Sequence, residues 1–578
     1  MTRTACLLLL LLNATRLGAE PCVDGESAGF ACHNVEFVAQ LTPAELGASG
    51  ERLSDIWGWT DPQTGEEYVV VGMFDGTAFV RIGSDGTPTF LGRLESTDGD
   101  SPVTKGAATE GKSCSDDCDA GAASTWRDVK VLGNYALVVS EASGYGMQVF
   151  DLTQLKDLSG PPADDFKASA YYAEIGHAHN VVVNEDYQRA YIVGSGSRSA
   201  GQGGLHIVNL SDPLNPSFFA EVNGDGYTHD AQCVAYAGPA ADIPQDNDIC
   251  FAANEDSLTI WDVTDPRQPE LLSKSTYSQT AYTHQVWLSD DHRFAYLNDE
   301  LDEQGFGSRT NTRIFDVSDP RNPVFIGEYL APTWAIDHNN YVQGRFLYQS
   351  NYLAGLRILD IAEPDAPVEA AYFDVSASDA TEFSGTWSNY PFFSSGFIAL
   401  TDISQGLFIV KPVLDNSSSQ ADVVVTIDAS ASMNQDSTQP VTVTVSNVGG
   451  IALDDMLLTL HVPALPDISQ LVEPVGWSCQ PVGTRGSVAE CRAGSMAAGE
   501  TATFDLVLAT GTDTAARFIA SAYPSQVDVT PGDNRASVDV SLVAAAPAGN
   551  SGGGGGGISG AWLLAGLFVA LRRRFAVS

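Results

Sequence analysis

The 578-residue sequence predicts an all-β protein: a seven-bladed β-propeller, then an immunoglobulin-like β-sandwich, then a short C-terminal hydrophobic helix. Three observations predict it. A short phrase of alternating apolar residues recurs seven times between residues 76 and 412, a matching strand stands displaced near the N-terminus, and residues 421 to 543 alternate as strands between turn residues. The phrase reads GTAFVRIGSDGTP from Gly76, GMQVFDLTQL from Gly146, GLHIVNLSDPLNP from Gly204, SLTIWDVTDPRQP from Ser257, NTRIFDVSDPRNP from Asn311, GLRILDIAEPDAP from Gly355 and GLFIVKP from Gly406. Aligned on their sixth positions, Arg81 to Lys411, the copies stand 44 to 70 residues apart. A period of about 50 residues marks a propeller or a similar array, in which no unit buries its apolar face alone. Val, Ile, Phe, Leu and Trp at alternate positions suit a sheet face covered by its neighbours. Asp-Pro-x-x-Pro then ends the ladder, because proline has no N–H to donate and presets the turn.

Six of the seven phrases are followed by a further strand-like run, at 87–94, 167–175, 216–222, 269–275, 323–330 and 367–375. The last phrase, ending at Pro412, has none; a run of the same character, 35–41, stands near the N-terminus instead. Placed as the outer strand of the last blade, it stitches the two ends together and leaves no open sheet edge. Residues 20–413 are thereby assigned to the propeller.

Residues 1–19 read as a secretory signal peptide, with Arg3, the apolar Leu7 to Leu12, and Leu17-Gly18-Ala19 before the cut. Eight cysteines remain: Cys22, Cys32, Cys114, Cys118, Cys233, Cys250, Cys479 and Cys491. Their spacing favours disulfides between sequence neighbours in an oxidising compartment, with zinc as the rival reading for Cys114 and Cys118. A formal net charge of −44 repels nucleic acid and anionic lipid, so no nucleic-acid partner is expected. Asp98, Asp100, Asp116, Asp117 and Asp119 crowd an insertion between the first two blades, and Asp299, Glu300, Asp302 and Glu303 form a second acidic cluster. Solvated loops and calcium sites are the two readings of these clusters; neither matches the spaced aspartate loop with its distal glutamate.

A second repeated feature lies upstream of six phrases, where a His or Trp sits in a polar setting: Trp126, His177 with His179, His229, His284, His338 and Trp387. The apolar run after each is the expected innermost strand of a blade. Equivalent positions in successive blades fall on one circle, so His179, His229, His284 and His338 are expected to ring one mouth of the central channel, with Asp55-Ile56-Trp57 as the first-blade counterpart. With Asp230 and Asp337 adjacent, such a ring could hold zinc, copper or iron. The alternative is a structural polar ring that hydrogen-bonds neighbouring blades. No nucleophile elbow, P-loop or HExxH motif is present.

The phrases resemble the LVIVD repeat. The longer strings YTHDAQCVAY, YTHQVWLSDD, IDHNNY, SNYLAGLRILDI and SGTWSNYPFFSSG are similar to those of the choice-of-anchor B family of bacterial surface proteins, over residues 35 to 412. The resemblance implies a secreted β-propeller and brings no catalytic residues with it.

A linker, 414–420, leads to the strands VVVTID, VTVTVSN, MLLTLHV, TFDLVLAT and SVDVSLV of residues 421–545, which resemble the immunoglobulin-like repeats of DUF11 or CARDB type. A Gly-rich linker, 546–557, contains Gly552, Gly553, Gly554, Gly555, Gly556 and Gly557. Residues 558–578 give an apolar stretch to Leu571 and a basic tail, Arg572, Arg573 and Arg574. Fourteen apolar residues are short for a spanning helix, which needs about 20, and the arginines favour the cytoplasmic side. This end resembles the GlyGly-CTERM sorting signal. The resemblance implies a Gram-negative exporter, transient anchoring in the inner membrane, cleavage by a rhombosortase-type intramembrane protease and delivery by type II secretion to the surface or medium. A permanent single-pass anchor is the alternative. The expected function is a non-enzymatic exported module that binds a protein, glycan or small-molecule ligand; the alternative is a metal-dependent extracellular hydrolase or oxidase using the histidine mouth.

Overall fold

The computed structural model describes residues 19–48, 52–96, 123–195, 203–415, 420–461, 467–481, 488–510 and 515–544. The signal peptide, the acidic insertion from Asp98 to Asp119 with Cys114 and Cys118, and the glycine run, apolar segment and arginine tail lie outside the described residues. Among the described residues the fold is all-β, a propeller-like array of repeated sheets whose one α-helix is the short turn Asp302–Phe306. No described helix is long and apolar enough to cross a membrane.

Among the described residues, seven repeats fold as antiparallel sheets, over 53–95, 127–172, 180–222, 230–275, 283–330, 339–374 and 386–412. The recurring phrase is the third strand of each. Ser257–Asp262, for example, lies between Asp248–Asn254 and Glu270–Ser275. The run after the phrase is the fourth strand, and in the second sheet it shortens to Ala170–Tyr172. The seventh sheet lacks a fourth strand of its own. Val35–Leu41 fills that place, with Phe37 opposite Val410 and Leu41 opposite Leu407. On its way there the chain adds two short strands to the sixth sheet, Phe30–His33 and Glu26–Ser27, cross-tied by the Cys22–Cys32 disulfide. The sequence reading did not foresee this extension, because strands of two to four residues carry too little alternation to register.

Alternation buries both faces of each sheet, so neighbouring sheets share apolar clusters. Val70 and Phe79 meet Val138 and Phe150 between the first and second sheets, and Tyr296 and Ile314 meet Leu347 and Leu359 between the fifth and sixth. The first and seventh sheets share one as well, where Ile56, Val69 and Val80 pack on Ala399, Leu407 and Ile409.

Inner strands of neighbouring sheets approach one another without forming a common ladder, which leaves backbone groups to be satisfied by side chains. Asp128 Oδ2 accepts from the Val181 amide at 2.6 Å, Gln232 Oε1 from the Leu288 amide at 2.8 Å and Gln285 Oε1 from the Asn340 amide at 2.5 Å. The first and seventh sheets are tied in the same manner. Thr401 Oγ1 donates to the Ser54 carbonyl at 2.7 Å, and Glu67 accepts from the Ser394 hydroxyl at 3.1 Å. Gln285→Leu strands the buried Asn340 N–H and is expected to cost about 1–3 kcal/mol in urea denaturation. An unchanged midpoint would mean that this amide finds its acceptor elsewhere.

Beyond residue 420, two further sheets enclose one apolar core that includes Val443, Leu458, Phe504, Phe518 and Trp477. The Cys479–Cys491 bridge ties neighbouring strands there, as Cys233–Cys250 does in the fourth sheet. This unit docks on the sixth repeat. Tyr372 donates to Glu490 at 2.9 Å, Asn34 to the Pro524 carbonyl at 3.0 Å and Arg345 to the Asp528 carbonyl at 3.0 Å. The start of the expected linker takes part, since the Asp415 amide donates to the Ser525 carbonyl at 3.0 Å.

In the same unit His461 is buried, and neither ring nitrogen has a hydrogen-bond partner. Burial, reinforced by Arg309, Arg535 and Arg517, holds its pKa well below the usual histidine value of 6.5. The unfolded chain therefore binds the proton first on acidification, and the stability that the neutral ring contributes is lost as pH falls below 6.5. Relative to His461→Leu, the wild-type protein should lose up to about 1.4 kcal/mol per pH unit below that point. Parallel denaturation curves for the two proteins from pH 7 to 5 check this.

Candidate functional site

The repeat phase places one residue of each sheet at the same end of its inner strand. His179, His229 and His338 directly precede the strands Asn180–Asn184, Asp230–Ala235 and Asn339–Gln343, while His284 and Trp387 are second in Thr283–Leu288 and Thr386–Tyr390. The rings follow one another around the channel. Centroids lie 4.1 Å apart for His179 and His229, 4.0 Å for His229 and His284, 4.5 Å for His284 and His338, and 4.9 Å for His338 and Trp387.

Hydrogen bonds set the tautomers. Nδ1 of His229 lies 2.8 Å from the His284 carbonyl, and Nδ1 of His338 lies 2.6 Å from the Trp387 carbonyl. A carbonyl only accepts, so Nδ1 carries the proton in both rings, and the Nε2 of His338 is left with its lone pair. Glu141 Oε1 fixes His179 in the same sense, at 2.6 Å from Nδ1. His284 Nδ1 is buried and makes no hydrogen bond of standard geometry. Burial first, then the neighbouring imidazoles, holds His284 well below the usual histidine range, and burial brings His338 down to about 4. These two rings are therefore neutral at neutral pH.

Glu300 closes the ring from above. Its Oε1 stands 3.7 Å from Nε2 of His284 and 3.7 Å from Nε2 of His338, and it accepts from the Tyr352 hydroxyl at 2.8 Å. Burial pushes its carboxyl up to about 7, against the Tyr352 hydrogen bond. Sequence reasoning placed Glu300 in an acidic loop cluster and missed both its role and Tyr352. A signal was available. Glu141, Glu255 and Glu300 each follow directly on the second strand of their sheets, Tyr135–Ser140, Asp248–Asn254 and Phe294–Asp299, so they share a repeat position just as the histidines do.

Beneath the ring lies a charged layer. Lys130 Nζ bonds Asp128 Oδ1 at 2.7 Å and Asp55 Oδ2 at 2.8 Å, and sits 4.8 Å over the Trp57 ring. Burial works against its charge, but Asp128 and Asp55 outweigh it and hold the ammonium well above the usual lysine range. Asp230 lines the same space, its carboxyl raised to about 6 by burial. The cavity between this layer and the four histidines has a volume of ≈ 20 Å³, room for one water or one ion and too small for an organic molecule. Further along, Trp57, Trp287, Tyr341 and Phe392 pack ring against ring.

Above Glu300 the mouth widens into a vestibule of ≈ 600 Å³ walled by Trp126, Tyr352, Phe383 and Trp387, with Arg52, Thr125 and Ser384 as polar lining. Trp126 is 47% and Phe383 49% exposed, unusual for rings of this size. His177 is half-buried and is not among the three residues whose ligand atoms converge, His284, Glu300 and His338. Asp337, grouped with the ring through its neighbour His338, sits instead in a buried carboxyl cluster with Asp302 and Glu303 around Arg313, which pairs with Asp302 at 2.5 Å. The Asn298 amide donates to Asp337 Oδ2 at 3.1 Å and holds that carboxyl in the cluster, away from the ring. Burial and mutual repulsion push Glu303 and Asp337 well above the usual carboxylate range.

Fold and site thus define an all-β repeat protein with a polar channel mouth assembled from successive repeats. The LVIVD repeat matches residues 175–224. A crystal structure of a protein from Lactobacillus plantarum is similar at 12% identity over 69% of this chain and 92% of that one, with a TM-score of 0.37. The CARDB domain of the PF1109 protein from Pyrococcus furiosus, solved in complex with di-metal ions, is similar at 17% identity over 22% of this chain and 93% of that one, with a TM-score of 0.17. No curated protein matches the chain.

Proposed function

We propose that this is an exported, non-enzymatic binding protein: a closed seven-bladed β-propeller, held by an immunoglobulin-like unit, that takes a glycan in the vestibule at one channel mouth. The observation that carries the reading is the vestibule itself, ≈ 600 Å³ with the exposed faces of Trp126 and Phe383 beside Trp387 and polar groups at Arg52, Thr125, Ser384 and Glu300. Aromatic faces cover the apolar face of a sugar ring while nearby polar groups satisfy its hydroxyls. Support for the closed ring comes from the core shared by the first and seventh sheets. The choice-of-anchor B resemblance, the signal peptide and the GlyGly-CTERM-like end support export from a Gram-negative cell, with the surface or the medium as destination.

Two experiments test the reading. Trp126 is exposed and outside the sheet cores, so Trp126→Ala should fold normally and weaken glycan binding at least tenfold in titration calorimetry against a glycan panel. An absence of binding across the panel, or equal binding by the variant, contradicts it. Mass spectrometry of the exported protein should find an N-terminus at Glu20 and a C-terminus within the glycine run. A chain retained whole in the membrane fraction contradicts the sorting step.

A further inference from the structure

We propose that the histidine ring is a resident site for one divalent transition-metal ion, bound through Nε2 of His284 and His338 and an oxygen of Glu300. The inference deepens the proposed function, because the ion would form the floor of the vestibule, and it rests on reading that mouth as the ligand-binding face.

Three observations carry it. First, the ligand atoms of His284, Glu300 and His338 all lie within 4.8 Å of one another. The two imidazole-to-carboxylate separations of 3.7 Å are too long for hydrogen bonds. They approach the spacing of donors that share an ion, since two ligands about 2.1 Å from a common metal in a tetrahedral set stand about 3.4 Å apart. Second, the backbone carbonyl of Trp387 holds the proton of His338 on Nδ1, which orients this ring and turns Nε2 to the ion. Third, the donors are withdrawn from water, with the His284 and His338 side chains 3% and that of Glu300 14% exposed, while Glu300 opens on the vestibule from which an ion would enter. Imidazole donors select zinc, copper, iron or nickel over calcium and magnesium, which take oxygen ligands.

The test uses the full exported chain, purified without chelator or histidine tag. Elemental analysis should find about one transition-metal ion per chain. After stripping, Co²⁺ should restore one equivalent, give visible absorption bands of a nitrogen- and oxygen-ligated ion, and raise the thermal midpoint, while Ca²⁺ should do none of these. Glu300→Gln keeps the side-chain shape and should fold with an unchanged metal-free midpoint, yet bind Co²⁺ at least tenfold more weakly. His284→Gln with His338→Gln should abolish the absorption bands. A wild-type chain that takes up no stoichiometric ion overturns the proposal, as does an ion whose affinity and spectrum survive both sets of substitutions. Trp126→Ala should retain the metal. Loss of glycan binding in that variant with metal retained supports both readings, whereas a metal-loaded protein that binds no glycan removes the proposed function and leaves this inference standing.

Discussion

Replacing Lys130 by methionine is expected to destabilise the protein by about 3–5 kcal/mol, because it leaves two buried carboxyl groups facing each other without their cation. Lys130 stands on the inner strand of the second sheet, and Asp55 on that of the first, so one ammonium joins two repeats at the channel. Its side chain is 12% exposed and those of its partners 6% and 3%, so solvent screens the pair weakly. The cost should arise mainly from the stranded charge rather than from lost attraction. Lys130→Met combined with Asp55→Asn should therefore recover part of the loss. Urea denaturation of the wild type, both single variants and the double variant gives the coupling directly. Equal stability of wild type and Lys130→Met would show that the charged layer is hydrated and loose.

Deleting residues 20–41 is expected to have a still broader effect, abolishing cooperative folding of the repeat array. Gly406–Pro412 would lose its partner strand, and the core between the first and seventh sheets would lose Val38, Ala39 and Leu41. An exposed apolar strand edge also invites aggregation. Ala39→Pro is the milder test. It places a residue without an N–H opposite Ile409 and should lower stability by about 3 kcal/mol in urea denaturation. A truncated chain that remains monomeric with a native-like thermal transition would mean that the array does not depend on this strand.

Much of this architecture could be read from residues. The seventh phrase lacked a following strand and the N-terminus held one to spare, so a count of strands pointed to their pairing. Repeat phase likewise put four histidines at equivalent positions, and contiguous ring contacts follow from it. Glu300 and Tyr352 were less legible. Glu300 lies among acidic sequence neighbours, yet Asp302 and Glu303 turn to Arg313 while Glu300 turns to the imidazoles. The Lys130 pair joins residues 75 apart in sequence, through side chains that no local pattern marks. The docking of the second unit was hidden for the same reason, since Tyr372 and Glu490 are unremarkable until two surfaces meet.

The claim on which the rest depends is that successive repeats orient their histidines so that Nε2 faces the channel unprotonated. Long-range ¹H–¹⁵N correlation spectra of histidine-labelled, metal-stripped protein at neutral pH test it directly, with His229→Gln and His338→Gln supplying assignments. The account predicts that both rings are protonated on Nδ1 and that His338 is neutral and bare on Nε2. Protonation on Nε2, or rapid exchange between tautomers, would contradict it.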